Sequence, residues 1–465
     1  MTPDEGGRPP SAHPHAARAT VGDMTVRDVA LQVAEPADAE PVTRRAPFSD
    51  NPRVGARGQR TRQRILDAAL QLFGEEGFHR CSIARISELA SCSRVSFYQY
   101  FSGKEEVFSS LAGQVARQIS ASTEAIDPLT PDATGWTGLR AWVARYGDIH
   151  ARYGPIFQAF PSTFEDDVEL TRAALRVRDQ SVARIRSKLS TSNLPPRQLD
   201  PLIALLLACL ARTLDDADTL RASAPEAYPR ERVEVAFTNV MYRSLFGSDP
   251  IDVHLENRTH PPRVEFGPDV GAMMLKEEAI RVGADKRAAL RALVENGRDV
   301  FVQRGYHATR VDDLAAAAGV SHGVFYRYFE NKNELAIVLT VQAMRAVGDA
   351  FVGIPDLAAG NGPELRRWFR RYNAAQTGEA AMIRVWVDAA LEDARMRSLS
   401  AAALDWGRRR MVRILGGAGS GDVDIEAVVM VALLGAFGSQ PRSAAAIDAA
   451  ANIVERGLIC GPVER

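Results

Sequence analysis

The chain has 465 residues, enough for two to four domains, and its net charge is −1. Hydrophobic residues make up 46% and charged residues 25%, which is typical of a folded protein and excludes a mostly disordered one. A net charge near zero does not exclude nucleic-acid binding, because a DNA-binding protein needs a local basic face and not a basic total. The four cysteines form no CxxC pair and the eight histidines no metal-binding motif. We therefore expect structural thiols in a cytoplasmic, nucleoid-associated protein with no metal and no cofactor.

Residues 1–56 are rich in proline, alanine and small polar residues and show no sustained periodicity. This composition predicts a disordered N-terminal tail, with Met24 as an alternative start of the chain. The tail contains no basic-then-apolar signal region. The longest apolar runs, near 202–211 and 427–437, are too short to cross a bilayer, so no membrane partner is expected.

Arginines are concentrated at the end of this tail, with no acidic residue between Asn51 and Arg64. They are Arg53, Arg57, Arg60, Arg62 and Arg64. Such a stretch predicts a flexible basic arm that follows a DNA backbone or a minor groove, and the alternative is a solubilising charged run. Far downstream, the matching place of a second copy holds only Lys286, Arg287 and Arg291.

An aromatic segment that begins with Phe97 and ends with Lys104 occurs again from Phe325 to Lys332, at an offset of 228 residues. The match extends without a gap from Phe73 to Val107, where about a third of the positions are identical at this offset. The chain therefore consists of two copies of one unit. No alternating strand pattern is present, so both copies are expected to be almost entirely helical.

In the first copy, an apolar stripe at helical spacing runs from Ile65 to Phe73, and Gly77 is expected to end that helix. Ser82 is expected to start a second helix. Residues 91–93 form a tight turn, and a third helix follows from Arg94 with its phenylalanines at 97 and 101 facing inward. Two short helices joined by a tight turn and braced by a longer one predict a helix-turn-helix.

The second copy repeats this pattern. The segment Thr309-Arg310-Val311-Asp312 predicts a capping box at the start of its second helix. Gly319 lies in the turn, where a positive φ is often needed. Phe325 and Phe329 are expected to pack inward.

The last helix of each head is expected to enter a major groove, with arginine suited to guanine, Gln99 to adenine and tyrosine hydroxyls to phosphate. Lys104 and Lys332 begin the next helix, where a cation is disfavoured unless it meets a phosphate; the alternative is an exposed lysine. The predicted DNA contacts are Arg60, Ser82, Ser93, Arg94, Ser96, Tyr98, Gln99, Tyr100, Lys104, Thr309, Arg310, Ser321, His322, Gly323, Tyr326, Arg327, Tyr328 and Lys332.

These residues resemble the tetracycline-repressor (TetR/AcrR) family of bacterial transcription regulators. The second copy matches the family pattern with Gly305-Tyr306, Ala318-Gly319-Val320-Ser321, the aromatic segment and Lys332. The first copy departs from it at Ser91-Cys92, where Gly-Val is usual, and at Cys81, where Thr is usual. The resemblance implies an all-α fold of two tandem TetR-like units, each with an N-terminal three-helix head and a helical effector-binding and dimerisation domain.

On this basis we expect six segments. They are a tail (1–56), DNA-binding domain 1 (57–105), effector/dimerisation domain 1 (106–247), a linker (248–284), DNA-binding domain 2 (285–334) and effector/dimerisation domain 2 (335–465). The linker is expected to end in a short helix at 271–281.

The helical effector domains contain aromatic stretches that are candidates for a ligand pocket. The predicted pocket residues are Trp142, Tyr146, Phe157, Tyr372 and Trp386, and the alternative is plain core. The implied effector is an unknown small molecule, partly apolar. Apolar helix pairs close each unit, at 202–214 with 233–245 and at 427–437 with 446–458. In ordinary family members such pairs form a homodimer, whereas here we expect an intramolecular pseudo-dimer, with a homodimer as the alternative.

The sequence thus predicts a sequence-specific transcriptional regulator, a ligand-responsive repressor whose two unlike heads bind an asymmetric double-stranded DNA operator. The alternative is a ligand-sensing or protein-interaction module in which one head, the first being the candidate, no longer binds DNA. No Ser/His/Asp or Cys/His arrangement favours an enzyme.

Overall fold

The computed structural model describes residues 55–163, 167–192, 194–248, 260–281, 287–357, 361–416, 421–438 and 443–459. Within these ranges the secondary structure is helical, and no strand is present beyond an isolated bridge between Leu129 and Leu189. The all-α prediction is confirmed. The predicted tail lies almost wholly outside the described residues.

The two halves of the chain contain the same succession of helices. In the first unit they are α1 (Ala56–Glu76), α2 (Ile83–Leu89), α3 (Arg94–Tyr100), α4 (Lys104–Glu124), α5 (Ala133–Thr163), α6 (Val168–Lys188), α7 (Pro196–Arg221) and α8 (Arg230–Phe246). A further helix, α9 (Pro268–Arg281), precedes the second unit. In the second unit they are α10 (Ala288–Ala308), α11 (Val311–Ala317), α12 (His322–Tyr328), α13 (Lys332–Val352), α14 (Gly362–Glu392), α15 (Ala394–Leu415), α16 (Val423–Gly438) and α17 (Ala444–Asn452), which continues as a π-helix (Ile453–Leu458).

Each head is a bundle of three helices with its own core. In the first head, Ile65, Leu66, Phe73 and Phe97 are buried, and the core continues into α5 through Tyr153. The second head has the equivalent core, which extends into α9, α14 and α15. The predicted boundary between head and effector domain falls inside the first turn of α4 and of α13, so one continuous helix joins the two parts in each unit.

A third core spans both units. Helices α7 and α8 of the first unit pack against α16, α17 and the π-helix of the second, and one cluster of buried side chains runs across the contact. Fully buried members from the two sides include Leu206, Phe237, Val429 and Leu433. The π-helix comes so close to α8 that a Cβ added at Gly457 would lie 2.8 Å from the carbonyl oxygen of Val240. The apolar helix pairs predicted from the sequence therefore pack against each other within one chain.

The contact between the units also contains buried ion pairs. The Arg243 guanidinium lies 2.6 Å from Glu426 and donates to the carbonyl oxygen of Gly457, and both charged side chains are almost fully buried. Arg232 donates to both carboxylate oxygens of Asp422, at 2.6 and 3.0 Å. In each pair the cation comes from α8 and the anion from the second unit. A buried charge is tolerated only when it is paired, so these contacts fix one relative position of the units.

Helix α13 is long and apolar enough to cross a membrane by length and composition alone, and the sequence analysis did not single it out. In the structure, residues 334–341 are all buried against neighbouring helices. Residues 334–341 lie in the core of the second unit, and the apolar composition of α13 is explained by this burial.

The described cysteines are interior or half-buried side chains. Cys81 and Cys209 are buried, and burial raises the pKa of the Cys81 thiol to about 11 and that of the Cys209 thiol to about 12. A thiol that stays protonated at neutral pH is a poor nucleophile. Cys460 lies outside the described residues.

Candidate nucleic-acid interface

The helix that would lie in a DNA groove is built in the same way in both heads. We call α3 and α12 the reading helices. The Ser93 hydroxyl accepts a hydrogen bond from the backbone N–H of Ser96 at 3.0 Å, and Ser321 accepts one from Val324 at 3.4 Å. Each serine is thus the N-cap of its reading helix, where such a side chain satisfies an N–H that has no partner in the helix. These two predicted DNA contacts have a structural use.

The inner faces of the reading helices are phenylalanine. Phe97 and Phe101 are buried, with ring centroids 5.9 Å apart, and Phe325 and Phe329 are buried with centroids 5.6 Å apart. Their spacing of four residues puts both rings on one face of a short helix. The inward packing predicted for these four residues is confirmed.

The outer faces carry the polar residues chosen from the sequence. In the first head Arg94, Tyr98 and Gln99 are exposed, while Ser96 and Tyr100 are half-buried. In the second head the exposed residues are His322, Gly323, Tyr326 and Arg327, with Tyr328 half-buried. The structure therefore leaves most of the predicted contacts on the two reading helices exposed to solvent.

Two features of these surfaces were not foreseen. Val95 is 73% exposed at the start of the first reading helix, an apolar side chain that suits a thymine methyl group. The second head has Gly323 at the equivalent position. His322 lies 3.3 Å from Asp312 of α11 and against the ring edge of Tyr326. The two reading surfaces thus differ in charge, size and apolar character.

The turn before the reading helix has the same geometry in both heads, although its sequence differs. Gly319 has a φ of +66° and Ser91, at the equivalent position, a φ of +50°. The backbone N–H of Cys92 donates to the carbonyl oxygen of Ser87 at 3.0 Å, and the backbone N–H of Val320 donates to the carbonyl oxygen of Ala315 at 3.0 Å. The departure of the first copy from the family pattern is therefore accommodated by a serine in a conformation that favours glycine.

Lys104 and Lys332 point toward the protein. The Lys104 ammonium donates to the carbonyl oxygens of Phe78, His79 and Cys81 at 2.8, 3.0 and 3.3 Å. Lys332 makes the three equivalent contacts, and each ammonium also lies over the aromatic ring at the end of its first helix. A phosphate contact was predicted for a lysine without an internal partner, whereas both lysines have three carbonyl partners. The phosphate contact itself stays a prediction.

The start of α11 differs from the capping box that was predicted at Thr309. Arg310, and not Thr309, is the N-cap, and its backbone N–H donates to Asp313 at 3.0 Å. Thr309 is buried, and its hydroxyl donates to Gly305 at 2.7 Å. Its position does not support a DNA contact. In the first head, Ser82 caps α2 as predicted by accepting from Arg85, and Gly77 ends α1 with a positive φ.

The predicted basic arm is helical where the structure describes it. Helix α1 begins at Ala56, so Arg57, Arg60, Arg62 and Arg64 belong to it, and Arg53 lies outside the described residues. Arg60 is exposed and donates to the carbonyl oxygen of Ala56. Arg62 turns inward, over the Phe101 ring and within 3.1 Å of Ser110. The prediction of a flexible arm is therefore wrong for residues 57–64, which belong to α1.

The two heads touch through equivalent residues. The imidazole rings of His79 and His307 stack with centroids 3.6 Å apart and planes at 26°. Each ring also meets an aromatic neighbour edge-on, Phe78 or Tyr306. Because 79 and 307 differ by the repeat offset, the contact relates the heads by an approximate twofold arrangement.

The five predicted pocket residues lie in or against the cores. Trp142, Tyr146 and Tyr372 are buried, while Phe157 and Trp386 are half-buried. A half-open groove with a volume of about 420 Å³ lies elsewhere, between α4 and α6, and is lined by Ser120, Thr123, Glu124, Gln180, Ser181, Ala183, Arg184 and Ser187. Arg184 and Glu124 form an ion pair of 2.8 Å at its edge. The aromatic pocket stays a prediction.

Comparison with known proteins finds one family match on each of the two heads. Residues 65–111 and 293–339 each match the family of bacterial regulatory proteins, tetR family. The chain is 52% identical over 40 residues to the HTH-type transcriptional repressor DhaR of Mycobacterium sp. (strain GP1), a stretch that covers 9% of this chain and 20% of that protein. It is 32% identical over 66 residues to the transposon Tn10 TetC protein of Escherichia coli (14% and 33%).

A third relative is the HTH-type transcriptional activator FasR of Mycolicibacterium smegmatis, 49% identical over 41 residues (9% of this chain and 19% of that protein). The chain spans about a third or less of the length of these three relatives. Two matches to the family's head, on two equivalent helix-turn-helix folds, show that the chain carries two heads of the tetR family in tandem.

Proposed function

We propose that this regulator binds an asymmetric operator with both heads of a single chain. The observation that carries the proposal is the pairing of two unlike reading helices through one internal contact between the units. In a symmetric dimer, identical heads require two identical half-sites. Here the first head presents Arg94, Val95 and Gln99, and the second presents His322 and Arg327, so two unlike half-sites about 34–36 Å apart are expected.

The alternative, that the first head no longer binds DNA, finds less support. The turn of that head keeps the backbone hydrogen bonds of the second, and its reading helix exposes an arginine, a tyrosine and a glutamine. We therefore assign a half-site to each head.

We further propose that the regulator is a repressor that is released by a small molecule. The relatives include one named as a repressor and one named as an activator. The groove between α4 and α6 is a candidate effector site, because it is lined by the far end of α4, the helix that joins the head to the rest of the unit. Its lining combines hydroxyl and charged side chains with a larger apolar surface, which favours a partly apolar effector that also has polar groups.

Footprinting of the purified full chain on its own promoter region tests the operator proposal. Arg94→Ala should remove protection of one half-site, and Arg327→Ala should remove protection of the other. A matched control is Arg172→Ala, an arginine paired with Glu169 on the surface of α6. A palindromic footprint, or the same half-site lost in both variants, would contradict the proposal.

A further inference from the structure

The segment that joins the two units is anchored to the second unit along its described length. The His260 imidazole lies 2.8 Å from Asp424, and the backbone N–H of Val264 donates to Asp405 at 3.0 Å. Both aspartates are buried, and Arg408 pairs with both of them. A buried carboxylate that accepts a backbone N–H holds the segment in one register on the surface of the second unit.

Helix α9 continues this segment and lies against α13 and α15. Val270 is buried, and Met273 and Met274 pack on the core of the second head. Glu277 is only 1% exposed and pairs with Arg345 of α13 at 2.7 Å. A buried glutamate left without its cation would be costly, so this pair fixes the rotation of α9 about its axis.

On that rotation, Lys276 faces the reading helix α12. Its ammonium donates to the carbonyl oxygen of Tyr328, the last residue of α12, and lies 4.5 Å from the centre of the Phe329 ring. A cation at the C-terminal end of a helix is favoured by the helix dipole and by the carbonyls that have no partner inside the helix. Lys276 thus holds the end of the reading helix from outside the head.

In the first head the corresponding aromatic ring is covered by a cation from the head itself. The Arg62 guanidinium of α1 lies 5.1 Å from the centre of the Phe101 ring, which corresponds to Phe329 at the repeat offset. The position that corresponds to Arg62 is Leu290, a fully buried apolar residue of α10. In the second unit the cation over the Phe329 ring therefore comes from the linker helix, while Arg287 at the N-cap of α10 lies over the neighbouring Tyr328 ring.

We propose that α9 is a positioning element of the second head, and that Lys276 is the residue through which it orders the reading helix. The part of this inference that concerns DNA rests on the proposed function: binding to the second half-site depends on a segment that belongs to neither head, whereas binding to the first does not.

Hydrogen exchange of the full chain without DNA tests the inference independently of any operator. Lys276→Met should speed exchange in residues 322–329 by about tenfold, the loss expected for one charge-assisted hydrogen bond and one cation–π contact, and should leave residues 94–101 unchanged. Arg62→Met should do the reverse. Leu275→Ala, at a neighbouring residue of α9 that is 73% exposed, is the matched control and should change neither segment. Lys276→Arg should retain most of the protection.

Unchanged exchange in α12, or an equal increase in both heads, would overturn the positioning role. Footprinting then tests the DNA part, with loss of the second half-site alone expected for Lys276→Met. A loosened α12 with an unchanged second half-site would overturn the dependence of DNA binding on α9. Failure of the unmodified chain to bind any operator would instead count against the proposed function and leave the exchange result standing.

Discussion

Substitution of Ser91 by glycine is expected to stabilise the first head. Ser91 holds a φ of +50°, and a non-glycine residue in this conformation costs about 1–2 kcal/mol. Glycine removes that cost, but its greater freedom in the unfolded chain destabilises the folded head by about 0.5–1 kcal/mol. Ser91 is exposed, so its side chain contributes no buried packing. The net expectation is about 0.5–1 kcal/mol of added stability in the first head.

The second head provides the reverse experiment. A Cβ at Gly319 would meet no heavy atom within 4 Å, so Gly319→Ser tests the backbone cost without a steric clash. Its expected effect is a loss of about 0.5–1 kcal/mol in the second head.

Hydrogen exchange followed by mass spectrometry measures both variants, with each head serving as the reference for the other. Ser91→Gly should slow exchange about two- to fivefold in residues 86–101 and leave 314–329 unchanged, and Gly319→Ser should speed it in 314–329. Faster exchange in the first head of Ser91→Gly would refute the reasoning, because it would mean that the serine side chain stabilises the turn by more than its φ costs.

Further substitutions test three other kinds of contact. Arg243→Met should destabilise the chain by about 3–5 kcal/mol, because Glu426 then stays buried without the arginine; the double variant Arg243→Met with Glu426→Met should recover most of the loss in a denaturant titration. Lys104→Met and Lys332→Met should each cost about 1–3 kcal/mol through the lost carbonyl contacts. If these lysines also meet phosphate, the slope of log affinity against log salt falls by about 0.9 per lysine, and a fall in slope without lost stability would argue against the structural role. Tyr98→Phe removes one exposed hydroxyl and should leave thermal stability unchanged while weakening operator binding about five- to tenfold; unchanged binding would exclude the phosphate contact.

The helices and both reading surfaces could be predicted from the sequence because they depend on local signals. The spacing of Phe97 and Phe101 indicates which face of a short helix is inward, Ser82 and Gly77 mark helix ends, and Gly319 marks a turn that needs a positive φ. These features involve residues only a few positions apart. The repeat offset then transfers the prediction made for the first head to the second.

Contacts between distant residues were beyond such reasoning. The three carbonyl groups that accept hydrogen bonds from Lys104 lie more than 20 residues from it in the sequence. Arg232 and Asp422, which form an ion pair, are 190 residues apart in the sequence. Charge at the start of a helix gives no sign of which way a long lysine side chain turns. The role of α9 was hidden for a different reason: at the repeat offset it corresponds to residues 40–53, which lie outside the described residues, so the repeat offers no comparison.

The packing of α7 and α8 against α16 and α17 bears on how the regulator responds to its own abundance. For separate chains that must meet before reading a two-part site, the amount of dimer falls with the square of the chain concentration when chains are few. Two halves joined by a linker encounter each other at an effective concentration in the millimolar range, whatever the number of chains. Operator occupancy by this chain is then expected to follow copy number in simple proportion. Each reading helix is also free to change its preferred half-site without forcing the same change on the other.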